Sequence, residues 1–568
     1  MNNLMRVLIS LVAGSILLFG KANFTRSQFD KYQKSDGRVK AWIYFIDKGD
    51  KTSTLLKKAD VQFSQRIINR RQKVGIYEST WFDIPVNDSY IRKITQPNIR
   101  IHHTSRWFNA VSVSTTINEL EYIAQLDFIK SIQPVNRYNK PIPIPEKFDD
   151  KPTYSKSKII GLDYGNSKEQ IEQIKVDKAH AAGFYGQGVR ILMMDTGFDT
   201  SHAIFDSLTI IAQKDFIDGD SVVKDEAGKD PNGQHNHGTY TWSTSGGYAP
   251  GELIGPAFKS EFLLAKTERV DEEIQQEEDD YVAGLEWGES LGADVVSTSL
   301  GYLDWYTWED MDGNTAVTTK AVDIAVSLGM VCVTAAGNEK GGEWNHIIAP
   351  ADADSVIAVG AVDKDGEIAT FSSRGPSYDG RIKPELCALG VKTYCARPGS
   401  KYPYGNVSGT SLATPLVAGA AAVLLSAHPD WTPMMVREAL MGTASRWLIP
   451  DNDYGWGIVD VWAAINYGNF TTSVKDENFI PNEFSIVKAY PNPFNPEINF
   501  KVNVGRTGAI SLSILNLLGQ PVAQVHSGKV LSGIHSLKWT PVNIPAGIYF
   551  VKLDYGAGTE IKKITYLK

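Results

Sequence analysis

The chain predicts an α/β protein: a parallel sheet with helices on both faces, preceded by a small α+β unit and followed by a small β-sandwich. Three observations predict it. Over residues 163–470, short apolar runs ending on polar or glycine residues alternate with helical patterns, as buried parallel strands joined by helical crossovers do. Over residues 23–138, strand and helix patterns alternate on a smaller scale. Over residues 482–568, short strands are separated by turn signals. At 568 residues the chain has room for several domains, and 42% hydrophobic and 21% charged content is ordinary for globular proteins. A formal net charge of −8 argues against a nucleic-acid partner.

Residues 1–22 read as a secretory signal peptide. Arg6 supplies the positive start, residues 7–20 the apolar stretch, and Gly20 and Ala22 the small residues for cleavage after Ala22. The stretch is too short for a comfortable membrane span, so no stable span is expected. In the unit 23–138, strands are expected at residues 39–46, 110–113 and 128–135. A basic helix at 64–73 carries Arg66, Arg70, Arg71 and Lys73, and Thr116-Ile117-Asn118-Glu119 fits a capping box. The arginines are read as a solvated helix face, with docking on an acidic part of the chain as the alternative. Residues 139–162 hold Pro141, Pro143, Pro145 and Pro152 and form an extended linker.

Within 163–470, strands are expected at residues 189–194, 293–301, 330–338 and 355–362, with a helix at 316–328. Residues 271–280, dominated by Asp and Glu, read as a solvated acidic loop, the alternatives being a lure for basic substrates or a cation site. Asp199 and the segment 215–230 leave structural calcium open, but no fixed-spacing calcium loop occurs, so metal ligands stay unknown and no cofactor is required. Of three cysteines, Cys332 sits in an apolar run, and Cys387 and Cys395 are the one pair left open; no disulfide framework is expected. A polar linker at 471–481 leads to the last unit. It opens with Tyr490-Pro491-Asn492-Pro493-Phe494-Asn495-Pro496 and continues with strands at 497–504, 509–515, 547–553 and 562–567.

Three stretches carry chemistry. Gly409-Thr410-Ser411-Leu412-Ala413-Thr414-Pro415 precedes a run of small residues that reads as a closely packed helix, with Pro415 in its first turn. Ser411 at such a helix start is either an N-cap or a nucleophile whose own amide stabilises an oxyanion. Asp195-Thr196-Gly197 puts a carboxylate at the C-terminal end of a strand, where open α/β sheets build their sites. His235-Asn236-His237-Gly238-Thr239-Tyr240 opens another helix. Asp-Thr-Gly is also the aspartic-protease signature, but that chemistry needs a second such carboxylate motif, and none occurs. His235 and His237 have metal-ligand character, but no supporting HExxH-type motif accompanies them.

The order Asp195, His237, Ser411, with Ala335-Ala336-Gly337-Asn338 between the last two, resembles the subtilisin-like serine peptidases over roughly residues 170–466. The resemblance implies a secreted serine endopeptidase acting on polypeptides through an acyl-enzyme. Asp195, His237 and Ser411 would form its catalytic triad, Asn338 the side-chain oxyanion donor, and Ser299-Leu300-Gly301 the backbone that pairs with an extended substrate. The sequence departs from the family at Tyr240, where a second histidine is usual, and at Thr241-Trp242-Ser243, where Val-Ala-Gly is usual. By order and pattern, residues 23–138 resemble the family's propeptide, which acts as folding chaperone and intramolecular inhibitor. The Tyr-Pro-Asn-Pro-Phe-Asn-Pro opening and Gly547-Ile548-Tyr549-Phe550-Val551-Lys552-Leu553 resemble the C-terminal sorting domain of type IX secretion cargo, and the sandwich also resembles flagellar-hook-type immunoglobulin-like modules. The sorting domain implies a partner in the type IX machinery and export through the periplasm of a Gram-negative bacterium to the surface or medium. The rival from another class is a catalytically inactive, surface-displayed binding protein on the same fold.

Overall fold

The computed structural model describes residues 22–135, 161–467 and 485–566, with short breaks at 31, 34–35, 51, 61–62, 272–275, 400–402, 491, 493, 495, 505–507, 517–518, 531–532, 543 and 556–557. The expected signal peptide, apart from Ala22, nearly all of the proline-rich linker 139–162 and the linker 471–481 lie outside the described residues.

Seven parallel strands form the central sheet in the order Leu386–Leu389, Ile357–Val362, Val331–Ala335, Val295–Thr298, Arg190–Asp195, Glu261–Lys266, Thr209–Asp215. The chain enters at Arg190–Asp195, builds one side, then crosses over and builds the other. That reversal is a topological switch point, where clefts open beyond the strands' carboxyl ends. Side chains alternate across the sheet. Ile191 and Met193 pack with Trp242 and Leu416, from the helices Asn236–Gly246 and Thr410–Ala427. Leu192 and Met194 pack with Tyr281, Leu285 and Val322, from the helices Gln276–Ser290 and Val317–Ser327. The strands are apolar throughout because both of their faces are covered.

Ahead of it, a four-stranded antiparallel sheet runs Arg100–Ser105, Ala110–Thr116, Arg38–Phe45, Ile129–Val135. The predicted capping box forms: Thr116 Oγ1 accepts from the Glu119 amide, and the Glu119 carboxylate takes the Thr116 amide at 3.0 Å. One face of this sheet packs Ile43, Val111 and Val113 against Leu120 and Ile123. The other lies on the helix Gln276–Ser290. Ser112 bonds Asp279, His103 bonds Asp280, and Ser105 Oγ donates to Glu286 at 2.5 Å.

Two sequence expectations are corrected here. The acidic stretch is no solvated loop over its described part: Glu277, Glu278, Asp279 and Asp280 form the first turns of a helix and are buried. Nor are the arginines a solvated face, since Arg70 and Arg71 are among the largest fully buried side chains. Charge in the sequence is read as exposure, but Arg70 and Arg71 are buried against Glu289, and the carboxylates of 277–280 are buried against polar partners such as Ser112 on Asp279 and Tyr306 on Glu278.

In the segment 215–230, Lys266 Nζ lies 2.8 Å from Asp215 and 2.6 Å from Asp230, all three side chains buried, so these two carboxylates hold an ammonium. Cys332, Cys387 and Cys395 are all buried, and none is in a disulfide.

The described part of the last unit, 485–566, is compact by itself. A sheet ordered Ser485–Tyr490, Ile498–Val504, Gly533–Trp539 faces one ordered Pro521–Val530, Gly508–Leu515, Gly547–Tyr555, Gly558–Tyr566. Phe500 and Val502 from the first meet Leu512, Val551 and Leu553 from the second, which makes a sandwich core.

Candidate active site

Asp195 is the last residue of its strand and is buried. Its Oδ1 accepts from His237 Nδ1 at 2.7 Å and from the Thr196 amide at 2.8 Å. Its Oδ2 accepts from Thr241 Oγ1 at 2.9 Å. A carboxylate can only accept here, so His237 carries its proton on Nδ1 and presents Nε2 as the basic nitrogen. His237 stands in the first turn of the helix Asn236–Gly246. That turn is pressed onto the Asp195 turn: a Cβ on Gly238 would lie 2.0 Å from the Gly197 carbonyl oxygen and 3.0 Å from Asp195 Cβ. Only glycine permits the approach. His235 faces elsewhere, its Nδ1 accepting from the Asp225 amide at 3.0 Å, so the two histidines have separate partners.

The helix Thr410–Ala427 begins one residue before Ser411. Its small residues allow close packing: a Cβ on Gly419 would meet Pro256 at 2.4 Å. Pro415 does not sit in the unpaired first turn that the sequence suggested. It is the sixth helical residue, and its missing N–H deprives the Ser411 carbonyl of a helical partner. Ser299 Oγ supplies the bond instead, donating to Ser411 O at 2.8 Å. In return, Ser411 Oγ donates to Ser299 O at 3.3 Å. Proline inside the helix thus ties the serine to the segment after Val295–Thr298.

Asn338 follows the strand Val331–Ala335 and is exposed. Its Oδ1 accepts from Thr410 N at 2.9 Å and Thr410 Oγ1 at 3.0 Å, which leaves the NH2 as its outward donor. Leu300 is buried, Gly301 half-buried, and the next residue, Tyr302, exchanges backbone bonds with Ala349 at 2.8 and 3.1 Å. Asp195, Ser299 and Asn338 thus stand at or just beyond the carboxyl ends of three adjacent strands. Three contacts were missed in sequence reading: Thr241 on Asp195, Ser299 in place of the helix bond, and Gln234 Nε2 donating to Thr196 O at 2.5 Å and Glu268 O at 2.6 Å. The departure at Thr241-Trp242-Ser243 was the signal for the first. The next residue, Trp242, stacks on Phe205 at 3.6 Å.

Comparison with known proteins agrees with this frame along the chain. The Subtilase family matches residues 186–457, the Peptidase S8 propeptide domain of Bacteroidota matches 40–148, and the Secretion system C-terminal sorting domain matches 488–566. Subtilisin E of Bacillus subtilis (strain 168) is 35% identical over 321 residues, 56% of this chain and 76% of the relative. Subtilisin of Bacillus pumilus is 36% identical over 296 residues, 52% of this chain and 97% of the relative. Subtilisin Savinase of Lederbergia lenta is 30% identical over 295 residues, again 52% and 97%. The fold and these relatives define a serine-type endopeptidase, made with a propeptide and a secretion sorting domain and destined for secretion or the cell surface. The chain belongs to the subtilase family.

Proposed function

We propose that the chain hydrolyses peptide bonds through an acyl-enzyme with Asp195, His237 and Ser411 as its triad. The observation that carries this is the 2.7 Å bond from His237 Nδ1 to a buried carboxylate whose other oxygen is also satisfied, because it fixes Nε2 as the base. Ser411 Oγ turns from Ser299 O, bonds to the scissile carbonyl carbon and gives its proton to Nε2. Asn338 Nδ2 and the Ser411 amide hold the resulting oxyanion. The C–N bond breaks as His237 returns the proton to the leaving amine. Water then attacks the ester, His237 takes its proton, and Ser411 leaves with it. Extended substrate pairs with the backbone of Ser299-Leu300-Gly301 as an added strand. The sequence divisions at 23–138, 163–470 and 482–568 remain our domain assignment. Export through the periplasm is inferred from the sorting domain, and a tail-bearing intermediate in the periplasmic fraction checks it.

A fluorophosphonate probe tests the catalytic reading. The processed protein is expected to be labelled on Ser411, with labelling lost in His237→Ala. No labelling of the processed wild type would leave the inactive binding protein as the better account.

Thr241 holds Asp195 in place from behind. Thr241→Val keeps the shape and removes the hydroxyl. Hydrogen bonds to charged groups contribute about 1.5–3 kcal/mol, and part of that acts in the step where His237 becomes cationic, so kcat is expected to fall about tenfold. KM should hold, and Thr241→Ser should restore the rate. An unchanged kcat in Thr241→Val, or no rescue by serine, removes the role.

A further inference from the structure

The helix Gln65–Lys73 of the propeptide does not touch the catalytic edge. It docks at the opposite end of the central sheet. Arg66 Nε donates to Gly292 O at 2.8 Å and Nη2 to Gly188 O at 3.0 Å, and its guanidinium pairs with Asp294. Arg70 Nη1 donates to Ala293 O at 2.7 Å, Nε donates to Leu328 O at 3.2 Å, and Nη2 pairs with Glu289. Gly188, Ala293 and Leu328 all precede strands: Arg190–Asp195, Val295–Thr298 and Val331–Ala335. Asp195, Ser299 and Asn338 sit at or beyond the other ends of those same strands. A strand of six residues such as Arg190–Asp195 is ~20 Å long, so the two sites are separated by the depth of the sheet. Several of the acceptors lie at the C-terminal end of the helix Gln276–Ser290, whose dipole favours cations.

Glu289 is the centre of the contact. Arg70 and Arg71 Nη2 both engage its Oε1, the latter at 2.9 Å, and Arg106 Nη2 donates to Oε2 at 2.8 Å. Three guanidinium groups of the propeptide converge on one peptidase carboxylate that is 1% exposed. Burial alone would raise its pKa, but Arg70, Arg106 and Arg71 outweigh burial and hold it at about 2. With a folded value below the ordinary 4.5, the contribution of Glu289 is fully present above 4.5 and is lost as pH falls through about 2. Arg71 also grips Asp83 within the propeptide, at 2.6 and 2.7 Å, which makes the helix part of a rigid platform.

We propose that this arginine helix is a second anchor, remote from the active centre, that keeps the propeptide bound after its covalent link to the peptidase is cut. Its bonds add to those of the propeptide sheet on the helix Gln276–Ser290, at Ser112–Asp279, His103–Asp280 and Ser105–Glu286, so release must break both groups of contacts. When one opens, the other holds the propeptide nearby at high effective concentration. Arginine suits the task because one planar fork reaches several carbonyls and a carboxylate together.

The test uses the full-length chain carrying Arg66→Ala and Arg70→Ala. Both substitutions lie in the propeptide, so the mature enzyme is chemically identical to wild type, and Arg71–Asp83 is left to support the propeptide. After the link is cut, size-exclusion chromatography at intervals reads how much cleaved propeptide still co-elutes with the peptidase. Wild type is expected to retain it. The double variant should lose it at least tenfold faster and gain activity with a correspondingly shorter lag, with the same final kcat/KM on a small peptide. Release within twofold of wild type overturns the proposal. If the alanine pair yields no processed protein, the Arg66→Lys and Arg70→Lys chain takes its place: charge remains but the fork is gone. Faster release supports the anchor, and wild-type retention overturns it. Co-elution reads binding whichever protease cuts the link, so its failure is separable from failure of the Ser411 reading.

Discussion

Ser411→Ala is expected to give a folded chain that hydrolyses nothing and keeps its propeptide covalently attached. The hydroxyl makes a single long bond, 3.3 Å to Ser299 O, so its removal disturbs packing little. The carbonyl of residue 411 still receives Ser299 Oγ, and the helix still starts at Thr410. What disappears is the hydroxyl proposed as the nucleophile. In subtilisin, a relative of this chain, loss of the serine lowers kcat ~10⁶-fold, and that measured figure is the expectation here. Mass spectrometry of the purified variant reads the N-terminus, and a peptide substrate reads the rate. A variant processed normally in a protease-free host would refute self-cleavage by Ser411.

Asn338→Ala is expected to lower kcat with little change in KM, because the oxyanion we propose it holds exists only in the transition state. The subtilisin precedent for removing one such donor is ~10²–10³-fold. Asn338 has a second task, since its Oδ1 anchors Thr410 at 2.9 and 3.0 Å beside the nucleophile. Asn338→Asp separates the two: it keeps oxygen acceptors for Thr410 and loses the outward donor. Donation is the dominant role if alanine and aspartate variants lose kcat alike. If the aspartate variant keeps most of the rate, anchoring dominates and the oxyanion role is wrong. If only KM rises, Asn338 serves binding.

The motif residues were legible because local backbone and chemistry demand them together. Asp195 ends an apolar strand, Gly238 permits the helix of His237 to press on the Asp195 turn, and Ser411 opens a small-residue helix. Each is a short-range fact. What escaped the sequence depends on partners far apart in the chain. Arg70 and Glu289 are 219 residues apart, and nothing local to either says that the other will neutralise it. Lys266 and Asp230 are 36 apart, and without the ammonium the carboxylates read as a cation site. The role of Pro415 was misjudged because its freed acceptor is satisfied from Ser299, on a different strand end.

The three thiols have a consequence for where this enzyme works. All are buried and none is in a disulfide, and burial pushes the Cys332 and Cys387 thiols far above the range in which they would ionise. Thiolate is the form that reacts, so these sulfurs are closed both to oxidants and to exchange with small thiols. Many exported enzymes owe their durability to cross-links that a reductant dissolves. This one rests on packing and buried charge, so its maturation needs no oxidising catalyst. A reductant finds no cross-link here to dissolve.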